Sequence, residues 1–136
     1  MLLPIAQELP PPRTIPLAAP LAQMRPPERR LAEEAIGTRP VFFLVKTRTR
    51  VDVGHWLRDG RLWAAALIDG LELFAPGRRP YRESVPFAQL RGSVYNPVTG
   101  ELALVPAHGV RVRGLKMPPL DGYQMLAQIY SAPAPP

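Results

Sequence analysis

The amino-acid sequence predicts a mainly β fold: a small antiparallel barrel of about seven strands, capped by a C-terminal helix and preceded by a proline-rich extended arm. Three observations carry this expectation. Arg61–Ile68 (RLWAAALI), Asp69-Gly70 and Leu71–Ala75 (LELFA) form a hairpin signature, two apolar runs about a tight-turn dipeptide. Turn signals then recur at short intervals, in Pro76–Pro80 (PGRRP) and Asn96–Gly100 (NPVTG), each followed by another extended run. Of the 19 prolines, nine lie between Pro4 and Pro40, which sets an arm apart from a body.

The arm spans residues 1–39. Its first 27 residues alternate proline with small apolar side chains, and proline removes donors and disfavours helix at the residue before it, so extended conformation is expected. A purely solvating linker would carry more Ser, Gly, Glu or Lys. This arm instead has spaced apolar anchors, Leu9, Ile15, Leu17 and Leu21, which suit a strap lying along a surface. A short helix is expected near 28–36, started by Pro26-Pro27 and stopped by Gly37, with Leu31 and Ala35 on one face.

The body spans residues 40–131. Val41–Val45 (VFFLV) is a bulky, β-branched run, and the alternation through Lys46–Val51 puts basic side chains on one face of a strand. Val51–Leu57 is a further strand candidate, and Arg58–Arg61 a turn. Ala64, Ala65 and Ala66 leave helix possible by propensity; the Asp69-Gly70 turn and the alternation after it favour strand. Tyr81–Leu90 and Glu101–Val105 read as extended. Val110-Arg111-Val112-Arg113 alternates strictly, which points its arginines away from the core. Asp121 is the expected N-cap of a helix over Gly122–Ser131 with an apolar stripe of Tyr123, Leu126, Ala127 and Tyr130. Residues 132–136 form an Ala/Pro tail.

Composition narrows the function. At 136 residues the chain supports one domain with a core. Without cysteine there are no disulfides, thiolate nucleophiles or Cys-ligated zinc, and a reducing compartment is favoured. Pro4 interrupts the first apolar run, no basic segment precedes it, and the longest uninterrupted apolar stretch is too short for the ~20 residues a membrane helix needs, so a cytoplasmic protein is expected. The net charge of +6 comes from 15 arginines and two lysines against 11 acids, which favours phosphate-bearing partners.

The succession of an aromatic strand, a tight hairpin and an amphipathic strand in LWAAALIDGLELFAPGRRPYRESVPFAQL, within seven strands closed by one amphipathic helix, resembles the pleckstrin-homology-like (PH-like) domains over residues 41–131. That resemblance implies a non-enzymatic binding module. Some members bind phosphoinositide headgroups through basic residues of the first inter-strand loop, and others bind peptides beside the helix. Here the corresponding loop, Arg58-Asp59-Gly60-Arg61, is short, contains an acid and lacks the basic cluster, which argues against inositide binding.

No catalytic constellation stands out. His55 and His108 have no metal-ligand spacing, Ser84, Ser93 and Ser131 lack a nucleophile-elbow context, and Glu33-Glu34 diverge by about 100° on a helix. No cofactor, metal or enzymatic activity is expected. The expected function is protein–protein interaction, as a small scaffold, adaptor or assembly subunit whose arm binds a protein partner or a second copy through Leu9, Ile15, Leu17 and Leu21. The alternative is an anion-binding module in which Arg48, Arg50, Arg78 and Arg79 grip phosphates of nucleic acid or anionic lipid.

Overall fold

A computed structural model describes residues 14–54, 60–105 and 109–131. The elements are helices α1 (Ala18–Gln23) and α2 (Pro26–Ile36), strands β1 (Phe43–Val51), β2 (Gly60–Ala66), β3 (Gly70–Ala75) and β4 (Tyr81–Pro86), a 3-10 turn over Phe87–Leu90, strands β5 (Val94–Asn96), β6 (Glu101–Ala103) and β7 (Gly114–Lys116), and helix α3 (Pro119–Ser131). The seven strands form two antiparallel meanders, β1-β2-β3-β4 and β5-β6-β7.

The barrel expectation is corrected, because the two sheets do not close on each other. Strands β5, β6 and β7 have only three residues each, too few to extend a main-chain ladder around a closed surface. Where β1 meets β7, Thr49 Oγ1 accepts the Lys116 N–H at 2.8 Å, a side-chain bond. Thr49 reaches that position because the β1–β2 register slips between Lys46 and Arg50, and such a bulge bends the strand that carries it. At the slip Thr47 is buried and donates its hydroxyl to Leu62 C=O at 2.7 Å.

The four-stranded sheet is covered on both faces. Its inner face packs Leu62, Ala64, Leu71, Leu73 and Val85 against Leu102, Leu104, Leu115, Met125 and Ile129 of the second sheet and α3. Its outer face packs Ala65, Leu67 and Phe74 against Met24, Leu31, Ala32, Ala35 and Ile36 of the arm. Every residue of β3 is therefore buried, as expected of a strand with no solvent face. The small side chains of Ala65, Ala32 and Ala35 leave room for α2 to lie close to the sheet.

Extended conformation through residue 27 is also corrected. Ala18–Gln23 is helical with Pro20 in its first turn, where the backbone N–H groups have no intrahelical partner and proline loses nothing. α2 starts on Pro26-Pro27 and ends at Gly37, whose φ of +64° is a backbone conformation that favours glycine. Ile15 N–H donates to Val41 C=O at 2.7 Å and pairs the arm's described start with the chain leading into β1.

Several boundaries differ from expectation: β2 opens at Gly60, expected in a turn, and β2 and β6 end at Ala66 and Ala103, short of Ile68 and Val105. Val110–Arg113 is not a strand, yet the alternation holds: Val110 and Val112 are buried, Arg111 and Arg113 exposed. Strand β4 stops at Pro86 and passes into the 3-10 turn. Helix α3 starts at Pro119, so Asp121 lies in its first turn, and its buried stripe is Gly122, Met125 and Ile129 in place of Tyr123, Leu126, Ala127 and Tyr130. Gly122 decides the phase, because a Cβ there would fall 2.1 Å from the Tyr95 ring; the helix seats its glycine on that ring. Tyr130 then reaches the Arg91 and Ser93 carbonyls with its hydroxyl at 2.6 and 2.7 Å.

Candidate functional site

Glu28 is the most heavily engaged polar side chain among the described residues. It is the third residue of α2, where its Oε1 accepts the Arg25 N–H at 3.1 Å and helps to start the helix. Its Oε2 accepts from two groups on the sheet below, Lys46 Nζ at 2.9 Å and Trp63 Nε1 at 2.8 Å. Lys46 and Trp63 are cross-strand partners on β1 and β2, and the ammonium sits 5.6 Å from the indole centroid. Trp63 in turn lies parallel to Phe74 at 6.3 Å. One carboxylate thus joins the helix start to two strands.

The electrostatics follow from the contacts. Burial alone would raise the Glu28 carboxyl, but the Lys46 and Trp63 hydrogen bonds, then the Arg25 N–H and the Lys46 charge, pull it the other way, from an ordinary 4.5 to about 2. A group held so low stays ionised at neutral pH. With donors on both oxygens, it fixes position better than it moves a proton.

This cluster forms the polar end of an open groove of about 450 Å³. Ile15, Ala19, Pro20 and Gln23 of the arm make one wall; Leu44, Lys46 and Trp63 of the sheet make the other. The walls are apolar apart from Gln23 and the Glu28–Lys46 pair. The arm thus contributes half of a binding-sized concavity.

Among the expected arm anchors, Ile15, Leu17 and Leu21 are half-buried against the chain's own outer-face cluster, and Ile15 also lines the groove. Leu9 lies outside the described residues, as do His55, His108 and residues 132–136. The arginines do not form one tight group. Arg78 and Arg79 sit on the β3–β4 turn, where Arg79 N–H donates to Val53 C=O at 2.9 Å and a Cβ at Gly54 would lie 3.0 Å from Arg78 Cβ. Arg50 pairs with Arg61 just before that segment, while Arg48, further back on β1, acts electrostatically on the Tyr95 phenol near the β7 seam. All four are exposed.

Sequence reasoning missed the Glu28–Lys46–Trp63 cluster. Its members are separated by 18 and 35 positions, and the one local signal, an acid two residues after Pro26, reads as a helix start.

Among the described residues no group of three or more His, Cys, Asp or Glu is placed to hold a metal ion, and no helix is long and apolar enough to cross a membrane. Comparison with protein-family models, with curated proteins and with solved structures finds no match to this chain.

Proposed function

We propose that the chain is a non-enzymatic protein-interaction module of PH-like architecture, a small scaffold or assembly subunit, whose groove between arm and sheet receives an extended, proline-bearing apolar segment. The observation that carries this reading is the shared construction of the groove by Ile15, Ala19 and Pro20 on one side and Leu44 and Trp63 on the other. The chemistry is complementary to such a segment. Polyproline-type chains offer carbonyl acceptors and few N–H donors, and the groove offers N–H donors: the Lys46 ammonium, which carries three N–H groups, and the Gln23 amide. A partly buried tryptophan beside proline-sized walls is the recurrent surface for such chains. The first 12 residues, MLLPIAQELPPP, have this composition themselves, so a second copy of the chain is one source of the segment. The PH-like part of the reading rests on the element order, two meanders followed by a helix that packs on β5, β6 and the 3-10 turn.

The test uses a synthetic peptide of residues 1–13 and the isotope-labelled full chain. Addition of peptide is expected to shift the Trp63 indole N–H and Leu44 methyl resonances saturably, and Ala19→Arg, which places a large cation on the wall, is expected to abolish the shift. A titration that moves no groove resonance overturns the reading, and light scattering on the full chain reports whether the segment is exchanged between copies.

One observation favours a second reading, anion binding. The Arg78-Arg79 turn is seated against Gly54, four residues after Arg50, and Arg50, Arg78 and Arg79 are all exposed. Oligonucleotide affinity that falls steeply with salt, and falls again in Arg78→Ala/Arg79→Ala, would support it.

A further inference from the structure

The outer face of the four-stranded sheet carries a second carboxylate, at the opposite end of α2 from Glu28. Glu72 lies mid-strand in β3 with its side chain 5% exposed, yet its Oε1 accepts no hydrogen bond among the described residues. Its other oxygen, Oε2, is 3.7 Å from the Arg39 guanidinium, longer than a hydrogen bond. Arg39 is held at that distance by its own bonds, since its guanidinium donates to the Ile36 and Ala35 carbonyls at the end of α2. It therefore serves as a helix cap and only partly as a counter-ion.

Glu72 lines a cleft of about 200 Å³. Ser84, its cross-strand partner on β4, puts a hydroxyl on the same face, and Asp69 at the hairpin adds a second carboxylate to the lining. The charged lining is thus two acids and one arginine, an excess of one formal negative charge. A buried carboxylate oxygen without a donor is costly, and a cleft lined by excess negative charge favours a cation.

We propose that this cleft is a binding site for a cationic nitrogen donor, an alkylammonium or guanidinium head group, seated at the Glu72 carboxylate with Ser84 and Asp69 as secondary acceptors. The volume admits a single head group with a short alkyl stem. The site is distinct from the groove at Glu28, and it stands whether or not that groove binds a peptide.

The experiment is an NMR titration of the full chain with n-butylammonium, methylguanidinium and tetramethylammonium, the last having the charge without an N–H donor. The first two are expected to shift the Gly70, Glu72 and Val85 amides saturably, with Kd of order 1–10 mM, and tetramethylammonium to leave them unmoved. Glu72→Gln keeps the side chain's shape and is expected to weaken binding about tenfold. Asp69→Asn, at an exposed position that the fold tolerates, is expected to weaken it by a smaller factor. A parallel arm with Nα-acetyl-lysine amide and Nα-acetyl-arginine amide separates the sources: binding tighter than that of the free amines identifies a basic protein side chain as the ligand, and equal binding a small amine. Equal shifts with tetramethylammonium, no shift with either donor, or unchanged affinity in Glu72→Gln would each overturn the assignment.

Discussion

Replacing Glu28 by glutamine removes one charge and keeps the side chain's shape, so it isolates what the carboxylate contributes. In the native protein that carboxylate accepts from Lys46, Trp63 and the Arg25 N–H. Glutamine retains one acceptor oxygen, loses the attraction to Lys46 and leaves that ammonium without its counter-charge. The fall in the carboxyl from 4.5 to about 2, at about 1.4 kcal/mol per tenfold change in proton affinity, sets an upper bound of about 3.5 kcal/mol. Water reaches the pair through the groove, for the Lys46 side chain keeps 31% of its exposure, and screening lowers the expected loss to about 1–2 kcal/mol. For a chain of this size that is a drop in Tm of about 4–7 °C.

The pH dependence gives the stricter test. Because the folded-state value is depressed, the stabilisation is fully present above the unfolded value near 4.5 and fades as the pH falls toward about 2. Urea unfolding of the native protein and Glu28→Gln should therefore differ most at pH 5–7 and converge as the pH approaches 2. A difference that is the same at pH 2.5 and pH 7 would refute the charge argument and attribute the loss to shape or helix propensity. No difference at either pH would mean that the cluster is decoration on a fold held by its apolar contacts.

Three other outcomes follow from the packing. Gly122→Ala would normally favour a helix, yet a Cβ 2.1 Å from the Tyr95 ring must displace α3, so a net loss of roughly 1–3 kcal/mol is expected in urea unfolding; a more stable variant would show that the helix moves freely. Burial first, then the hydrogen bond to Glu83 and its charge, raise the Tyr81 phenol well above its ordinary range. Its contribution is present below the unfolded value near 10 and is lost as the pH rises further, so Tyr81→Phe should flatten the alkaline fall in stability, as followed by circular dichroism. A chain starting at Thr38 lacks Met24, Leu31, Ala32, Ala35 and Ile36 and uncovers Ala65, Leu67 and Phe74. It is expected to associate or aggregate in light scattering, and a stable monomer would show that the arm is dispensable to the fold.

What was legible in the sequence is what neighbouring residues decide among themselves. Asp69-Gly70 marks a hairpin by its turn-forming residue types, and the hairpin is there with Ala66 opposite Leu71. Its tip, however, falls one residue earlier, at Ile68-Asp69, where Leu67 N–H donates to Gly70 C=O at 2.9 Å and Gly70 already belongs to β3. Asn96–Gly100 marks a turn for the same reason: Asn96 Oδ1 accepts the Val98 N–H at 2.9 Å, and Gly100 takes a φ of +72°. Pro26-Pro27 and Gly37 bracket a helix by their own backbone limits. The errors begin where the choice depends on a distant surface. Two stripes on α3 satisfy helical spacing, and Tyr95, far away in sequence, selects the one that contains a glycine. The arm's apolar residues reveal that they will cover something, but not what. The decisive clue lay in the body, in a run such as RLWAAALI that has almost no polar residue to face water. A strand apolar on both faces demands a cover on both, and with the second sheet and α3 filling one side, the arm's own helices are the available apolar surface for the other. The same reasoning explains why the Glu28 cluster escaped notice: a polar contact buried under that cover can be read only after the cover is known.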